Sequence, residues 1–143
     1  MNEHWIVPCN TRNFNIIEHF KIDKSAVWKN SFTIKEGDIV YLYLSAPYSE
    51  IRFRCRVIST EVSDEMLQKH SYAIVQNKSN NYFSKKIKYM VIEKEIEYPE
   101  GLLSLDCLKK NGLGQVQIQA RTDRQVQKYI DELTAPYETG GDE

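Results

Sequence analysis

The chain has 143 residues, 41% of them hydrophobic, which suits one domain around one core. Nineteen Lys and Arg against twenty Asp and Glu leave a net charge of -1, which excludes a protein that grips long duplexes by overall charge alone, though not one with a local basic face. The three cysteines, Cys9, Cys55 and Cys107, show no Cys-x-x-Cys spacing and read as reduced thiols of a cytoplasmic protein; no secretion signal opens the chain, and no apolar run approaches the roughly 18 residues of a membrane span.

Taken in chain order, "HWIVPCN" opens with a strand over Trp5 to Cys9 that stops near Pro8. Asn13 caps a short helix with Phe14, Ile17 and Phe20 on one face. The stretch "KIDKSAVWKNSFTIKEGD" is polar and loop-like, with Trp28 inside it. Gly37-Asp38 turns into "IVYLYLS", apolar on both faces as a central strand is. The next strand alternates, with Ile51, Phe53, Cys55 and Val57 on one side and Arg52, Arg54 and Arg56 on the other. The region 63–83 is polar and irregular, with one helical turn expected at Asp64 to Lys69. A long strand, "KKIKYMVIEKEIEYP", ends before Pro99. "SLDCLKKNGLG" is a short helix capped by Ser104 and stopped by Gly112. "TDRQ" at 122–125 has capping-box spacing, and Val126, Tyr129, Ile130 and Leu133 follow on one helical face. Residues 1–133 form the domain and 134–143 a flexible tail. Strands interspersed with short helices, without regular β-α-β alternation, argue a mixed α+β domain around a curved sheet or small barrel.

No catalytic constellation is visible. His4, His19 and His70 lie in unrelated contexts, no Ser or Cys sits in a nucleophile motif, and no spacing offers a metal site or a phosphate-binding glycine loop. Glu93 and Glu95 read as a solvated strand face. Neither an enzyme nor a cofactor is expected. What remains is aromatic and basic. Trp28 in a polar stretch and Tyr48 after Pro47 are either plugs of the barrel end or walls on which a flat ligand stacks. Pro47 stiffens the connection between the two central strands, where a plain reversal would use glycine, and so sets the Tyr48 ring at the sheet edge. Arg52, Arg54 and Arg56 are either the wet face of a half-buried strand or a local phosphate-binding stripe.

"WIVPCN", Trp28, "GDIVYLYLSAPYSEIRFRCRV" and "GLGQVQIQARTDRQVQKYI", in this order, resemble EVE domains, members of the PUA-like superfamily whose relatives include the YTH readers of methylated RNA. The resemblance spans roughly residues 3 to 133; the region 63–83 matches nothing in it. It implies a PUA-like, strongly curved, mostly antiparallel sheet or pseudo-barrel flanked by short helices, with a pocket for a single modified base. It places Pro8, Cys9 and Asn10 at the pocket rim, Trp28 as an aromatic wall, Ser45, Ala46, Pro47 and Tyr48 as the loop closing over the base, and Gln117 and Arg121 in the polar segment before the last helix. Cys9 stands where many relatives carry a hydroxyl, and "QIQAR" departs from the family's Gly-Pro-Arg ending. The implied function is recognition of a methylated or hydroxymethylated base flipped from DNA, in some relatives as the specificity domain beside a restriction nuclease. The alternatives are a modified-RNA reader, a small nucleotide-processing enzyme using Glu50 and His70, or an interaction domain whose arginine face meets an acidic protein.

Overall fold

A computed structural model describes residues 2–30, 33–65, 88–116 and 119–140. The helical turn expected at Asp64 to Lys69, the start of the long strand at Lys85, His70 and Gln117 fall wholly or partly outside these residues. The described elements are β1 (His4–Cys9), α1 (Ile16–Ile22), β2 (Ser25–Lys29), β3 (Ile39–Leu44), β4 (Glu50–Ser59), β5 (Tyr89–Glu97), α2 (Leu105–Lys110), β6 (Ala120–Arg121) and α3 (Arg124–Gly140).

The six strands form one mixed sheet in the order β2-β5-β4-β3-β1-β6. Antiparallel pairing dominates, but β1 runs parallel to β3, in register from His4 opposite Ile39 to Cys9 opposite Leu44. A parallel pair needs a crossover, and the segment holding α1 and β2 supplies it. The sheet is open, yet it curls far enough for its edges to approach: the Gln119 side-chain amide, just before β6, donates to the Lys29 carbonyl at the end of β2 across 2.7 Å. The expected α+β pseudo-barrel is therefore the fold. No helix among the described residues is long and apolar enough to cross a membrane.

Every residue of β3 is buried, because both faces of the sheet are covered at this strand. Val40, Leu42 and Leu44 join Trp5, Val7, Phe53, Cys55 and the α1 residues Ile16 and Phe20 in one core. Ile39, Tyr41 and Tyr43 join Ile51, Leu108, Val126 and Ile130 in a second, beneath α2 and α3. The alternation expected along β4 breaks between Ile51 and Phe53. There the register against β3 slips by one residue, and Ile51 enters the second core while Phe53 enters the first. A buried carboxylate secures the start of the parallel pair: Asp38 accepts from the Glu3 and Lys35 amides and from the Trp5 indole N–H, at 2.9–3.0 Å. Three donors offset the cost of burying that charge.

The helix ends depart from expectation by small steps. Asn15, not Asn13, caps α1. Ser104 caps α2 as read, and Gly112 follows it with a φ of 104° that favours glycine. At α3 the first-turn amide of Val126 donates to Asp123, so Asp123 takes the capping place assigned to Thr122, whose hydroxyl instead donates to Gln127. The apolar face is as read, with Val126 and Ile130 buried. The larger correction concerns its end. The helix runs to Gly140 through the segment expected as a flexible tail, with Pro136 inside it. Proline costs a helical hydrogen bond, but three contacts hold the extra turns: Thr134 is fully buried, Tyr137 packs edge-on against Tyr98, and Glu138 pairs with Arg54 at 2.8 Å.

Candidate nucleic-acid interface

The C-terminal ends of β1 and β3 lie side by side, and the chain turns away from the sheet at both. The Ser45 amide donates to the Cys9 carbonyl, which ties the two exits together. The Ser45 to Tyr48 turn then docks on the start of α2, where the Leu105 amide donates to the Ser49 carbonyl and the Ile51 amide to the Leu103 carbonyl. Between these segments lies a cavity of about 470 Å³, within the range of small-ligand sites. Pro8, Cys9 and Asn10 form one rim, Ser45 and Ala46 another, and Tyr43, Lys109 and Val116 close it from the second core and α2.

Five of the residues carried over from the family resemblance, Pro8, Cys9, Asn10, Ser45 and Ala46, thus meet at one cavity. The Cys9 side chain belongs to the first core, its thiol lies toward the Phe14 carbonyl, and burial pushes the thiol up to about 12, so it stays neutral. Pro47 and Tyr48 occupy the turn but not the cavity lining. The Tyr48 ring is exposed on one side and lies over the Arg52 guanidinium, 5.5 Å from its centroid.

Trp28 is a correction. It is not in a loop but in β2, paired opposite Met90 of β5, 2% exposed and tilted against Phe14 in the first core. The lysines and asparagine around it mark strand ends, not a loop. Arg121 is also elsewhere. It pairs with Trp5 in the sheet, four residues and about 13 Å along β1 from Cys9, with its guanidinium over the Trp5 ring and 3.8 Å from Glu3. Gln117 lies outside the described residues.

The arginine stripe of β4 is neutralised. Arg52 is buried and bonded through Nε to Glu50 at 2.7 Å, with Glu97 at 4.0 Å. Arg54 sits between Glu138 at 2.8 Å and Glu95 at 3.3 Å, and Arg56 meets Glu95 at 2.7 Å. Glu95, read as solvated, is thus the shared counter-ion of two arginines. Glu50, offered as a catalytic carboxylate, is 2% exposed and also accepts from the Gly101 amide. Among the described residues no group of His, Cys, Asp and Glu is placed to hold a metal ion.

Sequence reading missed Tyr43, Ser49, Leu105, Lys109, Gln115 and Val116 of the lining. Tyr43 was visible only as one of six apolar strand residues. Its ring is 5% exposed, and burial raises its phenol against the opposing hydrogen bond to Ser49. Nothing local marks Lys109, which reaches the cavity because α2 packs beneath the β3–β4 turn.

No protein-family model matches the sequence, and no curated protein matches it. Solved structures do match the fold. A hypothetical protein from Leishmania major aligns with a TM-score of 0.67 at 13% identity, over 96% of this chain and 98% of that one. ASCH from Zymomonas mobilis aligns with a TM-score of 0.60 at 10% identity, over 92% and 95%. The human THYN1 protein, solved in complex with 5-methylcytosine containing DNA, aligns with a TM-score of 0.62 at 12% identity, over 92% and 97%. At these identities the likeness is one of fold, and it does not single out the EVE domains that the sequence resembles.

Proposed function

We propose that this chain is a nucleic-acid-binding module that takes one modified base, extruded from DNA, into the cavity between Pro8–Asn10 and the Ser45–Ala46 turn. One observation carries the reading: the rim residues that the sequence resemblance assigned to base binding meet at a single cavity of about 470 Å³, in a fold shared with a protein whose complex holds 5-methylcytosine containing DNA. The lining suits a flat, weakly polar guest. The Tyr43 ring, Pro8, Ala46, Leu105 and Val116 offer apolar surface, while Asn10, Ser45 and Gln115 offer hydrogen-bonding groups for a base edge. DNA is favoured over RNA by that complex. A role beside a restriction nuclease belongs to the same reading, and the coding region next to this one tests it. A nucleotide-processing enzyme is less favoured, because Glu50 is committed to Arg52 and the Gly101 amide.

A methyl group on a base is worth about 1–3 kcal/mol in an apolar pocket, or roughly 10- to 200-fold in affinity. The test is fluorescence anisotropy with duplexes that carry one 5-methylcytosine, one 5-hydroxymethylcytosine, one methylated adenine or no modification. The wild-type chain should prefer one modified duplex by at least about tenfold. Ala46→Trp, an exposed position on the lining, should fill the cavity and abolish the preference without unfolding the chain. Equal affinity for all duplexes, or a preference that survives Ala46→Trp, would sink the reading.

A further inference from the structure

Extruding a base from the stack costs free energy that contacts to backbone phosphates must offset. Each arginine of β4 is spent on a carboxylate, and so is Arg121. The cations for the phosphates must come from elsewhere. Beside the cavity lies a second cleft of about 210 Å³, lined by Arg12 together with Asn10, Ser45 and Ala46, so the two hollows share one rim. Arg12 faces this rim from the cleft, and Lys109 faces it from the α2 side of the cavity. Both are exposed, and neither makes an ion pair among the described residues. Among the described residues no carboxylate lines either hollow.

We infer that Arg12 and Lys109 are the phosphate clamp, holding the DNA backbone on either side of the extruded base; this rests on the base-reading function proposed above. The backbone around Arg12 is already shaped for the task. Its amide donates to the Asn10 side chain at 3.0 Å, and the Asn13 and Phe14 amides donate to the Asn10 carbonyl. Asn10 therefore sets both the rim of the base cavity and the turn that carries the arginine. Lys109 stands in the last turn of α2, beside the fully buried Leu108 that fixes the helix on the second core. A larger groove of about 690 Å³ along α3 also holds two cations, Arg124 and Lys128, but Glu3, Asp123, Asp131 and Glu132 line it with them. Those carboxylates repel a phosphate, so the smaller pair of hollows is the anion-binding corner of a chain with net charge -1.

The test compares an Arg12→Gln/Lys109→Gln double variant with an Arg124→Gln/Lys128→Gln double variant. Each is titrated with the preferred modified duplex between 50 and 200 mM NaCl, and circular dichroism reports that each is folded. Each phosphate contact contributes about 0.9 to the slope of log K against log salt. The first variant should therefore have a slope shallower by about 1.8 and lose about 12-fold less affinity over that range than wild type. The second should keep the wild-type slope. If wild type prefers the modified duplex but the first variant keeps its full slope, or both variants lose slope equally, the clamp is wrong and the base-reading function stands. A wild type that prefers no modified duplex overturns both.

Discussion

Trp28 and Tyr48 are rings of similar promise in the sequence and of opposite fate in the fold. Trp28 lies on the edge strand β2 with its ring buried in the first core, against Phe14 and opposite Met90. Trp28→Ala should therefore act on stability, removing about 3–5 kcal/mol in urea denaturation. A variant with wild-type stability and weakened DNA binding would return this ring to the pocket. Tyr48 stays on the turn with its face over Arg52, so the stiff connection around Pro47 positions a ring that covers the Glu50–Arg52 pair. His4 makes a second residue-level prediction. Its ring stacks on Tyr41, 5.9 Å between centroids, and burial first, then the Arg54 charge, lower its pKa from 6.5. At His4 the unfolded chain takes up a proton near pH 6.5 that the folded chain binds less readily, so the contribution of His4 to stability is constant well above that pH and falls as the pH drops through it. Urea midpoints at pH 7.5 and 5.5 should differ more in wild type than in His4→Gln. Equal differences would show that His4 is not the group responsible.

At the scale of elements, α3 decides how the molecule ends. Its apolar stripe was legible up to Leu133, because Val126, Tyr129, Ile130 and Leu133 keep helical spacing. Beyond that point the sequence offers Pro136, glycines and acids, which locally argue for a tail. The helix continues because Arg54 of β4 and Tyr98 beyond β5 reach it from the sheet. Truncation after Leu133 removes the buried Thr134, the Tyr137–Tyr98 contact and the carboxylate that balances Arg54. It should cost at least about 3 kcal/mol, since a largely buried cation is left with Glu95 alone. Thermal denaturation checks this, and an unchanged melting temperature would mark 134–143 as the tail first expected.

At the scale of the whole molecule, two cores share the same central strands. Trp5 and Trp28 both lie in the first, while α3 closes the second. Because β1, β3 and β4 contribute side chains to both, neither core survives the loss of the other. Unfolding followed by tryptophan fluorescence and by far-ultraviolet circular dichroism should therefore give coincident transitions. Helical signal lost at lower urea than tryptophan signal would make α3 a separate unit.

What the sequence determined by itself was carried by local rules. Apolar runs located β1 and β3, period-two alternation β4 and helical spacing the start of α3, and the Ser104 cap and Gly112 stop bounded α2, because these signals act within a few residues. Family resemblance added the rim, Pro8 to Asn10 and Ser45 to Ala46, since strand exits and turns keep their order in a fold. Tertiary structure alone decided what those residues face. Arg56 meets a glutamate 39 positions away, Tyr43 turns to the cavity beside Lys109 of α2, and Trp28 turns inward. Such partners depend on strand register and on the slip in β4 at Arg52, which reassigns the faces on either side of it. A one-residue slip carries no mark in the local pattern, yet it decides which core each β4 side chain on either side of it enters.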